Sequence, residues 1–255
     1  MKAVKKRGAR YVWFVDDNFR LGKGDLEAVC NRFIEANLEL NWMTFIRAST
    51  LENIDPKLLS KAGCIEVQLG LESADKQVLK NMNKEATPEL YERVLKRLIA
   101  AGINCSCYYI FGFPGETEES AQRTRDFIKQ FDCAQYDGSI YWSMFPFLLT
   151  PLSPVYEPQA RQDFGLTGYL QNWQHATMNS DQARDQVLKT FLEIENSGPI
   201  YRGDNQELLR DLGPALRKKF ESTRHQLSKL ALTGELEPAA LYETFKAVLG
   251  SVRVT

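Results

Sequence analysis

Histidine is nearly missing from this chain: there are 2 in 255 residues, His175 and His225, and neither has a paired Cys, Asp or Ser motif. Sites that rely on histidine as base or metal ligand are therefore poorly supplied. The 5 cysteines are odd in number and irregularly spaced, which argues against a disulfide framework and fits a reducing cytoplasm. Charge of one sign is lacking too. The formal net charge is −1, so the overall balance offers nothing to nucleic acid or to an anionic membrane. No run approaches the roughly 20 apolar residues of a membrane span. The longest early one, Tyr11 to Val15, is too short for a signal-peptide core and ends in two aspartates. The spacings of a Rossmann pyrophosphate loop, a P-loop and a nucleophile elbow are all missing.

What is present suits an α/β fold. With 44% hydrophobic and 25% charged residues, 255 positions can bury one large barrel-like domain, or a smaller domain with an appendage. Lys2, Lys5, Lys6, Arg7 and Arg10 read as a solvated helix end. Tyr11 to Val15 is a β-branched and aromatic run bounded by Gly8 and by Asp16-Asp17-Asn18, as a buried strand would be. The pattern predicts a helix over 24–40, a strand over 42–48, a short helix from Asp55-Pro56 through Lys61 and a strand over 65–69. Thr87-Pro88-Glu89 opens a helix through Ala101, followed by a strand over 103–111, a helix over 118–131 and a strand over 139–147. Such alternation implies right-handed βαβ units and a parallel sheet, with five strands forming an incomplete barrel or an open sheet. Beyond Thr150 the pattern breaks at Pro151, Pro154 and Pro158. Residues 1–150 thus form one unit, and residues 151–255 a loop-rich connector or cap to about Asn179 followed by helices over 181–196, 204–231 and 236–250.

Several polar groups fall where parallel strands end, the face on which α/β folds bind ligands. Asp16, Asp17 and Asn18 do so, although taken alone turn chemistry is the commoner reading of such a cluster. Glu72 and Ser73 follow another strand, with Gly70 leaving room for a close approach; Ser73 as a helix cap and Glu72 as a solvated carboxylate accounts for them equally well. Phe111-Gly112-Phe113-Pro114-Gly115-Glu116-Thr117 is a tight strand-to-helix turn that exposes backbone groups. Cys105 and Cys107 share a strand face but lack a ligand set, so they read as small core residues. Phe145-Pro146-Phe147 lines either a cavity or the core.

Asp16-Asp17-Asn18-Phe19, the run Gly70 to Lys84 and Tyr108 to Thr117 occur together in an order that resembles the barrel of radical S-adenosylmethionine enzymes, particularly their cobalamin-linked class. The resemblance spans about residues 5–150. It implies an incomplete (β/α)6 TIM-like barrel of parallel strands with a C-terminal helical extension. It implies an S-adenosylmethionine site drawn from Asp16, Asp17, Arg47, Glu72, Ser73 and Lys84, with Gly112, Phe113 and Pro114 beside the adenine. A small-molecule substrate, no nucleic acid, no membrane and a cytoplasmic location go with it.

That family starts its chemistry from a Cys-x-x-x-Cys-x-x-Cys loop holding a 4Fe-4S cluster, and this sequence has no such loop. The expectation is the C-terminal portion of such an enzyme, inactive alone. The cluster and cobalamin would be held by a missing N-terminal segment or a partner chain, and no metal would be ligated here. The alternative expectation is a non-catalytic, degenerate barrel that binds a nucleoside or a partner. A third, an unrelated barrel enzyme using Asp16, Asp17 and Glu72 as acid, base or metal ligands, lacks the histidines such sites employ.

Overall fold

Short apolar runs separated by amphipathic stretches give an open parallel sheet in the computed structural model, which describes residues 1–255 apart from 17, 18, 20–22, 202–211, 238, 241, 245 and 248–255. The elements up to residue 150 are α1 (Lys2–Lys6), β1 (Tyr11–Phe14), α2 (Lys23–Glu35), β2 (Asn41–Phe45), α3 (Ala48–Leu51), α4 (Pro56–Lys61), β3 (Cys64–Glu72), α5 (Lys76–Asn81), α6 (Pro88–Ala100), β4 (Asn104–Phe111), α7 (Glu118–Lys129) and β5 (Ile140–Pro146). After a 3-10 turn at Pro154–Tyr156 come α8 (Pro158–Phe164), β6 (Thr167–Tyr169), β7 (Asn172–His175), β8 (Met178–Asn179), α9 (Ser180–Glu193), β9 (Gly198–Pro199) and α10 (Pro214–Leu232).

Among the described residues the main sheet runs β1-β2-β3-β4-β5-β9 with every pair parallel, so there β1 and β9 are its edges and it is open. Helix boundaries follow local chemistry. Asp55 accepts the Lys57 N–H and Thr87 the Leu90 N–H, each with proline next, while Thr117 and Ser120 form a reciprocal capping box. Alternate positions of β3 and β4 divide the layers: Leu69, Leu71, Cys107, Tyr109 and Phe111 join the apolar core, whereas Gln68, Gly70 and Tyr108 line a cavity. Each large side chain buried under the helices contributes about 1.5–3 kcal/mol.

Two features differ from the sequence pattern. The sheet has a sixth strand, β9, whose two residues, Gly and Pro, are both poor strand formers. Residues 151–179 are more ordered than a loop-rich connector, holding α8 and the antiparallel sheet β6-β7-β8. Those strands are too short for a period of two to register. Of the expected helices, 204–211 lies outside the described residues, and the described residues within 239–247 are helical. Among the described residues, no helix is long and apolar enough to cross a membrane.

Candidate functional site

β3 ends irregularly. Its pairing with β4 shifts between Gly70 and Glu72, and Glu72 has a φ of 65°. A non-glycine residue held there costs about 1–3 kcal/mol, so its surroundings must fix it. They do so through the end of α5. Asn83 takes the left-handed conformation at φ 53°, its N–H bonds Lys80 O at 3.0 Å and the Lys84 N–H bonds Leu79 O at 2.9 Å, a Schellman ending that turns Lys84 back towards β3. There Lys84 Nζ donates to Gly70 O and to Glu72 Oε1, the latter at 2.7 Å. Gly70 permits the pair, because a Cβ would stand 2.6 Å from Glu72 Oε1.

Arg47, just after β2, and Ser49 complete a cavity of about 890 Å³ with Glu72 and Lys84. Phe45 and Tyr108 wall it, their rings 5.6 Å apart. Two buried polar atoms at this cavity, Gln68 Oε1 and Tyr91 Oη, have no hydrogen-bond partner among the described residues. Burial, with Glu72 adding to it, pushes the Tyr91 hydroxyl up, so it stays a neutral donor. Unsatisfied polar atoms beside paired charges suit a ligand with hydroxyls and an amino-acid group.

Ser73, next along the chain from Glu72, is fully buried and does not line this cavity. Its Oγ sits 3.2 Å from Thr124 Oγ1 and accepts the Asp75 N–H at 3.1 Å. The cap of α5 is Asp75, which accepts from Gln77 and Val78, and not Ser73. Asp16 is exposed, and Asp17 and Asn18 lie outside the described residues.

The Gly112–Pro114 turn stands apart from the charged cavity. Gly112 has a φ of +85°, its N–H donates to the Glu116 carboxyl, and Trp173 and Ala183 cover it so closely that a Cβ would clash. Glu116 is fully buried, and burial pushes its carboxyl up to about 8. Asp75 adds to the shift, while the Gly112 N–H and Arg125 oppose it. Pro114 O accepts from Asn81 Nδ2 at 3.1 Å. Phe113 lines a second cavity of about 500 Å³ with Ile110, Phe145, Pro146, Phe147 and Arg184. The aromatic run at 145–147 thus lines a cavity, with Phe147 also in the core.

Arg47, Glu72 and Lys84 therefore meet in one cavity and Phe113 borders another, while Ser73 and Gly112 line neither. Sequence reasoning missed Gln68, Tyr91, Trp173 and His175. Of these only Gln68 carried a signal, as one of two polar residues, with Glu66, inside Ile65 to Leu71.

Among the described residues, no group of three His, Cys, Asp or Glu side chains is placed to hold a metal ion. All five cysteines are free and buried, and burial raises each thiol. The described residues do not fit a 4Fe-4S cluster.

The sequence profile described as the Radical SAM superfamily matches residues 1–128. An uncharacterised methyltransferase of Pyrococcus horikoshii is 30% identical over 53% of this chain and 31% of its own length. The bacteriochlorophyllide d C-12(1)-methyltransferase of Chlorobaculum tepidum is 26% identical over 66% of this chain and 36% of its own length. The chain thus spans about a third of these relatives. In fold it is similar to the radical S-adenosylmethionine methyltransferase TsrM of Kitasatospora setae, with a TM-score of 0.53 and 21% identity over 64% of this chain and 32% of that one. It is also similar to the archaeal Elp3 of Methanocaldococcus infernus, with a TM-score of 0.53 and 13% identity over 80% of this chain and 51% of that one.

Proposed function

Because the chain belongs to the radical S-adenosylmethionine superfamily, we propose that it binds S-adenosylmethionine across its two cavities and forms part of an enzyme that methylates, cyclises or rearranges a small organic substrate. The observation that carries this is the charged cavity with its two unsatisfied polar atoms, Gln68 Oε1 and Tyr91 Oη, beside Arg47, Glu72 and Lys84. In this reading Arg47 takes the cofactor carboxylate, Glu72 accepts from its ammonium or ribose, and Lys84 holds Glu72 in place. Gln68 and Tyr91 meet the ribose hydroxyls. Phe113 faces the adenine in the aromatic cavity, on a turn shaped by Gly112 and Pro114, and Asp16, exposed just beyond β1, is a further candidate contact.

S-adenosylmethionine, when reductively cleaved, supplies a 5′-deoxyadenosyl radical. Since the described residues do not fit the cluster that would deliver the electron, the cluster and cobalamin are assigned to residues outside this chain, and this chain's part is to bind and orient. Relatives named as methyltransferases, and an anaerobic magnesium-protoporphyrin IX monomethyl ester cyclase of Rubrivivax gelatinosus that is 27% identical over 54% of this chain, support methylation or cyclisation.

Titration calorimetry with S-adenosylhomocysteine tests the reading. We expect saturable binding that R47A abolishes and that Y91F weakens with little loss of stability. A folded chain that binds no nucleoside at millimolar concentration refutes it.

A further inference from the structure

The antiparallel sheet β6-β7-β8 comes from a stretch without a motif, yet two of its side chains reach carbonyls at the ends of two neighbouring parallel strands. Trp173 Nε1–H donates to Phe147 O at 2.8 Å, just beyond β5. His175 Nε2 lies 3.3 Å from Gly112 O, just beyond β4. A carbonyl only accepts, and Nδ1 receives the Thr177 N–H at 3.4 Å, so the neutral Nε2–H tautomer satisfies both ring nitrogens. The two rings are stacked, 4° from parallel with centroids 5.4 Å apart, which ties the motion of one to the other.

The same rings continue to the aromatic cavity. Phe147 meets Trp173 at 5.4 Å and Phe113 at 5.3 Å, both edge-on. On the other side of the turn the Gly112 N–H is held by Glu116, and Thr177 Oγ1 donates to Glu116 O at 2.6 Å. The hairpin thus grips both loops that bound the cavity.

Resting on the reading that this cavity takes the adenine of S-adenosylmethionine, we propose that Trp173 and His175 are positioning residues: by holding the carbonyls of Phe147 and Gly112 they fix the separation of the β4 and β5 ends, and so the width of the base-binding slot. Rigid support of this kind decides how much ordering is left to be done when a ligand binds.

The test is calorimetric titration of the full chain with S-adenosylhomocysteine, alongside thermal melting, for W173F, H175L and H175Q. W173F keeps a ring and removes the N–H, H175L removes the donor, and H175Q restores one. W142F is the control: Trp142 Nε1 donates to Ser197 Oγ at 3.0 Å and the residue lines neither cavity. W173F and H175L should weaken binding about fivefold or more, the equivalent of one lost hydrogen bond. H175Q should recover most of the affinity, and W142F should melt earlier while binding as the wild type does. If H175L does not fold, W173F and H175Q carry the comparison. Unchanged affinity in W173F and H175L overturns the inference, as does equal weakening in W142F, which would mark a general loss of stability. Wild-type protein that binds no nucleoside overturns the proposed function together with this inference; a binding wild type with indifferent variants overturns this inference alone.

Discussion

Lys84 Nζ stands 2.7 Å from Glu72 Oε1 while also donating to Gly70 O, so one ammonium group secures a strand end whose glutamate has a φ of 65°. Neither side chain is more than a third exposed, so water screens the pair only partly. K84M strips the cation from Glu72 and from the Gly70 carbonyl together. The expected loss is about 1–3 kcal/mol in urea denaturation, with nucleoside binding falling alongside. G70A should act differently. Its Cβ would displace Glu72 Oε1, so affinity should fall by more than stability does.

Glu116 makes stability depend on pH through the turn that borders the second cavity. Its carboxyl is raised from 4.5 to about 8 by burial, so between those values the folded state keeps a proton that the unfolded state has released. Stability from this group is therefore fully kept below 4.5 and falls as pH rises towards 8, by up to about 1.4 kcal/mol per unit. Glu221, raised to about 7 by burial, acts with the same sign. E116Q should match wild type near pH 4.5 and exceed it near pH 8 in chemical denaturation. A constant difference across that range would show that Glu116 ionises normally.

Much of the parallel sheet is legible in the sequence because its strands are continuous apolar runs and its helices carry Asp55, Thr87 and Thr117 as caps. β9 and β6 to β8 are not, since two to four residues cannot display a period. The meeting of Arg47, Glu72 and Lys84 follows from the resemblance in sequence order. Their geometry depends on Asn83 adopting the left-handed conformation, which no spacing announces. Tyr91 and His175 matter through their neighbours in space, and the apolar or polar pattern around each looks ordinary.

The cysteines provide a check on where a cluster would sit. All five are buried and their thiols are raised, chiefly by burial. Native protein should therefore resist alkylation by iodoacetamide near neutral pH, and all 5 should react after unfolding. Fast labelling of three thiols in the native state would instead reveal an accessible ligand set.

His225 pulls against Glu116. Its ring is buried between Trp142 and Phe191, with centroids at 5.4 and 4.9 Å, and Nε2–H donates to Phe191 O at 3.0 Å. Burial, and then the nearby Lys229, lowers it from 6.5 to about 4. Between those values the unfolded chain binds a proton that the folded chain does not, so this contribution to stability is lost as pH falls from 6.5 to about 4. From 4.5 to 6.5 the two groups oppose each other, and wild-type stability should change less there than either group alone would dictate. H225Q keeps a donor for Phe191 O but cannot titrate. Its difference from wild type in chemical denaturation should grow in its favour as pH drops through that window, by up to about 1.4 kcal/mol per unit. A difference that stays constant with pH would mean that the ring titrates as it does in the unfolded chain, and that α10 is not held by a neutral imidazole.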